Sequence, residues 1–194
     1  MRRYSVRPAI TLKGRSFKGL RGWAGKPFHP PLTDIPIGAY VLASVFDVGS
    51  LVGGKNHTWS HELWHAATFV LLGGAFVSVF AALTGVFDWL RSSEPGTQAR
   101  RTVNTHATIM ITVTVLVLVD IALRLNSYHT NLVTPVGIAA LSVVIALLVS
   151  LGSTYGGSLV FDYGFNVETA GDSPVWHKSE TDLLPGQKDV PDPG

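Results

Sequence analysis

The chain contains no cysteine. That excludes disulfides, thiolate zinc sites, cysteine-ligated iron–sulfur clusters and cysteine nucleophiles. Charge is scarce as well. Only 14% of the 194 residues are charged, against roughly a quarter in an ordinary soluble domain. A soluble domain of this length needs more charge to cover its surface, so the composition argues for a membrane protein. The basic first 34 residues lack an apolar h-region, so a cleavable signal peptide is not expected. What the chain has instead is apolar residues, at 46%, with a mean hydropathy of +0.30.

Those residues fall into four runs: Ile35 to Gly54, Leu63 to Phe87, Ala107 to Leu123 and Leu132 to Leu151. A hydrocarbon core of about 30 Å needs roughly 20 residues of helix. Each run fits one crossing, the third only marginally. The third run is rich in Val, Ile and Thr, which favour strands in water. In lipid the backbone must satisfy its own hydrogen bonds, so helix is expected. The expected fold is an all-α bundle of four transmembrane helices. It is flanked by a basic arm (1–27) and an acidic tail (168–194), with the membrane domain over 28–167. The tail reads as poorly ordered unless docked. Pro36 and Pro135 are expected in first turns, where a missing N–H costs nothing. Gly152, Gly156 and Gly157 are expected to end the fourth span, leaving GGSLVFDYG as an interfacial segment. Gly74, Ser78 and Ala82, with Ala81 and Gly85, form a small-residue stripe suited to close helix approach.

Orientation follows from the basic residues. Eight precede the first run: Arg2, Arg3, Arg7, Lys13, Arg15, Lys18, Arg21 and Lys26. Arg91, Arg100 and Arg101 lie between runs two and three, and Lys178 and Lys188 in the tail. The opposite side has only Lys55 and Arg124. Both termini are therefore expected in the cytoplasm. The arm has a topogenic role and can also touch anionic headgroups. It carries no nucleic-acid motif, and no such partner is expected. The expected partner is the lipid bilayer, with other membrane subunits as a further candidate.

Three polar constellations stand out. Asp47 and Asp120 sit at one depth, roughly 18–20 Å from the cytoplasmic start of their runs. Arg124 follows Asp120 by one helical turn. A buried lone charge costs at least about 2.5–3.5 kcal/mol, so pairing is expected. An internal ion pair that fixes helix register is favoured over a proton or ion relay. A second cluster gathers at the cytoplasmic ends: His29, Asp34, Asp88, Trp89, Arg91, His106, Asp162 and Tyr163. It suits either a ligand pocket or a set of loop-clamping hydrogen bonds. The third is His61-Glu62-Leu63-Trp64-His65, an H-E-x-x-H string. In metalloproteases such histidines bind zinc and the glutamate is the general base. Asp120, Asp47, His129 or His57 are candidates for a third ligand. The G-x-x-H continuation is missing, and Trp64 suits an interfacial aromatic belt. Haem b offers another use for histidine pairs on facing helices. His29 with His106 forms one such pair, and His65 with His129 another.

The strings FHPPLTDIPIGAY, LTGVFDWL, TQARRTVNTH and GGSLVFDYGFNVE occur in that order. Together they resemble the domain-of-unknown-function 2231 family of bacterial membrane proteins, particularly its actinobacterial members. The likeness covers roughly residues 28–168. It implies a four-helix integral membrane protein of unestablished activity. It also implies that His29-Pro30, Asp88-Trp89 and His106 are recurring family positions. Many relatives have a histidine–glycine pair after span four, where this chain has Tyr163-Gly164. That departure weakens any haem or metal reading through that position. HELWH is not part of the family pattern. Some relatives are fused to Rieske-type domains, an association that mildly favours proximity to redox chemistry, although this chain has no cysteine for such a cluster.

The leading expectation is a non-enzymatic accessory or ligand-binding membrane module. A haem b electron-transfer protein at His29 and His106 is second. A zinc hydrolase at His61, Glu62 and His65 is third.

Overall fold

The computed structural model describes residues 19–20, 27–165 and 167. Most of the basic arm and all of the acidic tail lie outside the described residues. Four helices follow one another: α1 (His29–Gly53), α2 (Thr58–Ser92), α3 (Gln98–Ser127) and α4 (Val136–Phe161). All four are long and apolar enough to cross a membrane. They run 25, 35, 30 and 26 residues, beyond the apolar runs that mark them. A helix does not stop where hydrocarbon stops, because its backbone pairing continues through the headgroup layer.

Local chemistry sets the ends. Pro30 and Pro31 open α1, where a fixed φ helps and no N–H is missed. Gly54 closes it with a left-handed φ of +71° and donates its N–H to the Ser50 carbonyl. Thr97 caps α3, its Oγ1 accepting the Arg100 N–H at 3.1 Å. Pro36 corrects the sequence reading. It lies inside α1 because the helix starts earlier, at His29. Pro135 immediately precedes α4 as its N-cap. The glycine expectation for α4 is overturned too. The helix runs through Gly152, Gly156 and Gly157 to Phe161. Membrane helices tolerate glycine, which here admits neighbouring side chains.

The core takes two residues from every helix: Tyr40 and Ala43, Ala67 and Leu71, Val113 and Val117, Ile145 and Val149. Each pair is three or four residues apart, on one helix face. Large apolar side chains point outward, among them Phe69, Phe76, Leu83, Leu118 and Leu147. In water that surface would aggregate; in a bilayer it is matched by lipid. Hydroxyls on α3 are satisfied within the helix. Thr108, Thr112 and Thr114 each donate to the carbonyl four residues earlier at 2.9 Å.

Chain neighbours pack around a ring. α1 lies most extensively on α2, then α3 on α4 and α4 on α1, while α2 and α3 touch least. The diagonal pairs α1/α3 and α2/α4 make no backbone approach among the described residues. The small-residue stripe on α2 differs from the one read by fours. Gly74, Ala81 and Gly85 meet α1 residues or lie buried, whereas Ala82 is exposed. A period of 3.6 turns a strict four-residue row off the contact face. A methyl at Gly74 would lie 2.6 Å from Ala39 Cβ, so only glycine lets these backbones come together.

Candidate functional site

The bundle has two polar ends. At the end away from the chain termini, four segments converge on Arg124. Its Nε donates to Asp120 Oδ1 at 2.8 Å, and its Nη2 to Asp47 Oδ2. Nη1 reaches Thr68 Oγ1 at 3.4 Å. Thr134 donates its hydroxyl to Asp47 Oδ1 at 3.1 Å and its N–H to Ser50 Oγ at 3.0 Å. Ser50 in turn donates to the Ser60 carbonyl at 2.6 Å. Asp47, Asp120 and Arg124 are all fully shielded. α1, α2, α3 and the loop before α4 are thereby held in one register. Two carboxylates share one guanidinium, and the neighbouring hydroxyls supply dipoles where bulk water is absent. Thr68, Thr134 and Ser50 had no sequence signal, since such residues are common in membrane helices.

Trp64 corrects the aromatic-belt reading. It is wholly buried, with Arg124 Cζ 5.1 Å from its ring centre. Its indole N–H points to the Tyr128 carbonyl at 3.4 Å. The ring faces a desolvated cation, which favours a buried indole over an interfacial one.

The rest of HELWH faces the other way. His61 and His65 are partly exposed and joined Nε2 to Nε2 at 2.8 Å. His65 packs edge-on against Tyr128 at 4.4 Å, and Tyr128 against His129 at 5.0 Å. His57 stacks on Trp59. Glu62 is exposed. Asp47 and Asp120 are engaged by Arg124. Among the described residues no group of three or more His, Asp or Glu is placed to hold a metal ion.

At the end bearing the termini, the histidines are set differently. His29, from α1, leans on α2: its Nδ1 lies 2.9 Å from the Ala81 carbonyl and 3.2 Å from Thr84 Oγ1. His106, from α3, leans on α4: its Nδ1 lies 2.8 Å from the Gly152 carbonyl. A carbonyl only accepts, so each Nδ1 carries a proton, and in the neutral ring Nε2 is left with its lone pair. Gly85 backs His29, and Gly156 backs His106.

Around them the chain is clamped. Asp88 is buried and accepts the Leu20 N–H at 2.7 Å, which ties Leu20 to α2. Trp89 donates to Asn104 at 3.0 Å. Arg100 covers the Trp89 ring and donates to Ser93 Oγ at 2.5 Å. Arg91 stacks on Phe87, and Tyr163 meets Thr102 at 3.5 Å. Asp34 and Asp162 are exposed. The glycines behind the imidazoles had no sequence signal beyond their spacing.

Fold and surface define a multi-pass membrane protein built as a four-helix ring. A family model described as Predicted membrane protein (DUF2231) matches residues 25–169, and the chain belongs to that family. No curated protein and no solved structure matches the chain.

Proposed function

We propose that the chain is a non-enzymatic, ligand-binding accessory module of the membrane. Its site lies between His29 and His106, at the end bearing the termini. One observation carries this reading. Both imidazoles are anchored through Nδ1 to a neighbouring helix, and among the described residues neither Nε2 has a hydrogen-bond partner. Anchoring of this kind fixes a ring and its tautomer for a ligand on the other nitrogen. A mere clamp would gain more by using both nitrogens. Native mass spectrometry from detergent tests the reading. The wild type is expected to hold a small-molecule adduct that His29→Ala and His106→Ala lose and His65→Ala keeps. Identical spectra for all four proteins would overturn it.

We also propose that both termini are cytoplasmic, from the excess of Lys and Arg on that side, and that the membrane is a bacterial inner membrane, from the resemblance to a bacterial family. The absence of cysteine makes a clean test. Lys55→Cys is expected to react with a membrane-impermeant maleimide in intact cells, and Glu94→Cys only after lysis. The reverse pattern would invert the topology.

A further inference from the structure

We infer that the ligand between His29 and His106 is a b-type haem, with one imidazole Nε2 on each face of its iron. This rests on the ligand-site reading above. The first argument is a count of donors. Bare divalent transition metals take four to six ligands, and structural zinc takes four from protein. Among the described residues no group of three or more metal-ligating side chains forms. Two isolated histidines leave a bare ion badly undersupplied. A metalloporphyrin brings four nitrogens and needs only two axial ligands.

The second argument is orientation. Nδ1–H donation to a main-chain carbonyl is the partner arrangement that directs Nε2 at a metal and raises its basicity. It occurs twice here, on carbonyls of two different helices. A capping or packing histidine has no need of the repetition.

The third argument is placement. The histidines sit on α1 and α3, diagonal helices with no backbone approach among the described residues. Each is fastened to the next helix along the chain, so α1–α2 and α3–α4 each present one imidazole. The seam between those halves at α2 and α3 is the least packed in the bundle. A flat, apolar ligand entering between halves displaces few contacts there. Glycine keeps the rings back. A methyl on Gly85 would stand 2.7 Å from His29 Cε1, and one on Gly156 would stand 3.3 Å from His106 Cε1. Side chains at those positions would push the imidazoles out of place. Arg91 and Arg101, exposed at the same end, give the porphyrin's carboxylates cations to approach.

The contrast with the far end sharpens the point. His65 spends its Nε2 on His61, and His129 is exposed on the loop beside it. That pair lacks carbonyl anchors and opposed helices, so the other candidate haem pair is not proposed.

The full-length protein, purified in detergent and titrated with hemin, tests the inference. One haem per chain is expected, with a low-spin bis-imidazole spectrum that sharpens on dithionite reduction. His29→Ala and His106→Ala are expected to lose the low-spin spectrum and regain it with free imidazole. Hemin and imidazole give a low-spin spectrum on their own, so rescue is scored only on haem that stays with the folded protein through gel filtration, which a misfolded variant would not retain. His65→Ala is expected to behave as wild type. A wild type without the low-spin spectrum, or one unchanged in both variants, would overturn the haem assignment. If the adduct seen by native mass spectrometry still depends on His106, another ligand fills the site and only the haem falls. If that dependence is absent too, the site reading falls with it.

Discussion

Replacing Arg124 with Met is expected to destabilise the bundle by about 3–5 kcal/mol, because two buried carboxylates lose the cation they share. The partners, not the arginine, set that magnitude. Asp47 and Asp120 are fully shielded, and the guanidinium reaches both. With it gone, each must take a proton or stay charged in a medium that solvates it poorly. The comparison that gives the number meaning is the triple variant Asp47→Asn, Asp120→Asn, Arg124→Met. It removes every charge at once and leaves an amide for Thr134 to hydrogen-bond, while Thr68 keeps its bond to the Trp64 carbonyl. Replacing a whole buried ion network is often close to neutral, whereas breaking one is not. The triple variant is therefore expected to recover most of the loss. Unfolding in detergent, followed by helical signal against heat or denaturant, measures both. A single variant as stable as wild type would show that the network adds nothing. A triple variant as unstable as the single one would show that charge balance is not the cause.

The triad was conspicuous in the sequence because charge inside an apolar run is rare and expensive. Asp47, Asp120 and Arg124 identify themselves on that ground alone, and equal depth brings them together. The residues that complete the network do not. Thr68 and Thr134 look like ordinary membrane hydroxyls until α2 and the loop before α4 are seen around Arg124. The same distinction holds at the other end. His29 and His106 were visible as a pair, but not the use of Nδ1 on carbonyls of adjacent helices, which depends on packing. Gly152, Gly156 and Gly157 were misread as a terminus for an intelligible reason. In water three glycines within six residues weaken a helix; in lipid the unpaired backbone costs more, and helix continues. α3 made the opposite case, since its β-branched content was overruled by the same backbone requirement and it is helical throughout.

Trp64 is where a sequence rule and the structure diverge most, and its removal is the second large effect. The interfacial reading predicts a small cost for Trp64→Ala, since an exposed indole gives up little packing. The buried position predicts about 3–5 kcal/mol, the range for deleting a large core aromatic. The guanidinium also loses the ring face beside it, which for a desolvated cation is worth about 2 kcal/mol, though part of that overlaps the packing loss. Trp64→Phe separates these contributions. It keeps an aromatic face over Arg124 but loses the N–H directed at the Tyr128 carbonyl. Its cost is expected to be clearly smaller, near the ~1 kcal/mol of one hydrogen bond plus the lost volume. Glu62→Ala serves as the neighbour control, since Glu62 is exposed on the same helix and should shift stability by no more than about 0.5 kcal/mol. Detergent unfolding of the three variants reads the order directly. Alanine worst, phenylalanine intermediate and the Glu62 variant unchanged supports the inward-facing indole. A Trp64→Ala protein within error of wild type would return the residue to the membrane surface and remove the aromatic roof from the buried charge network.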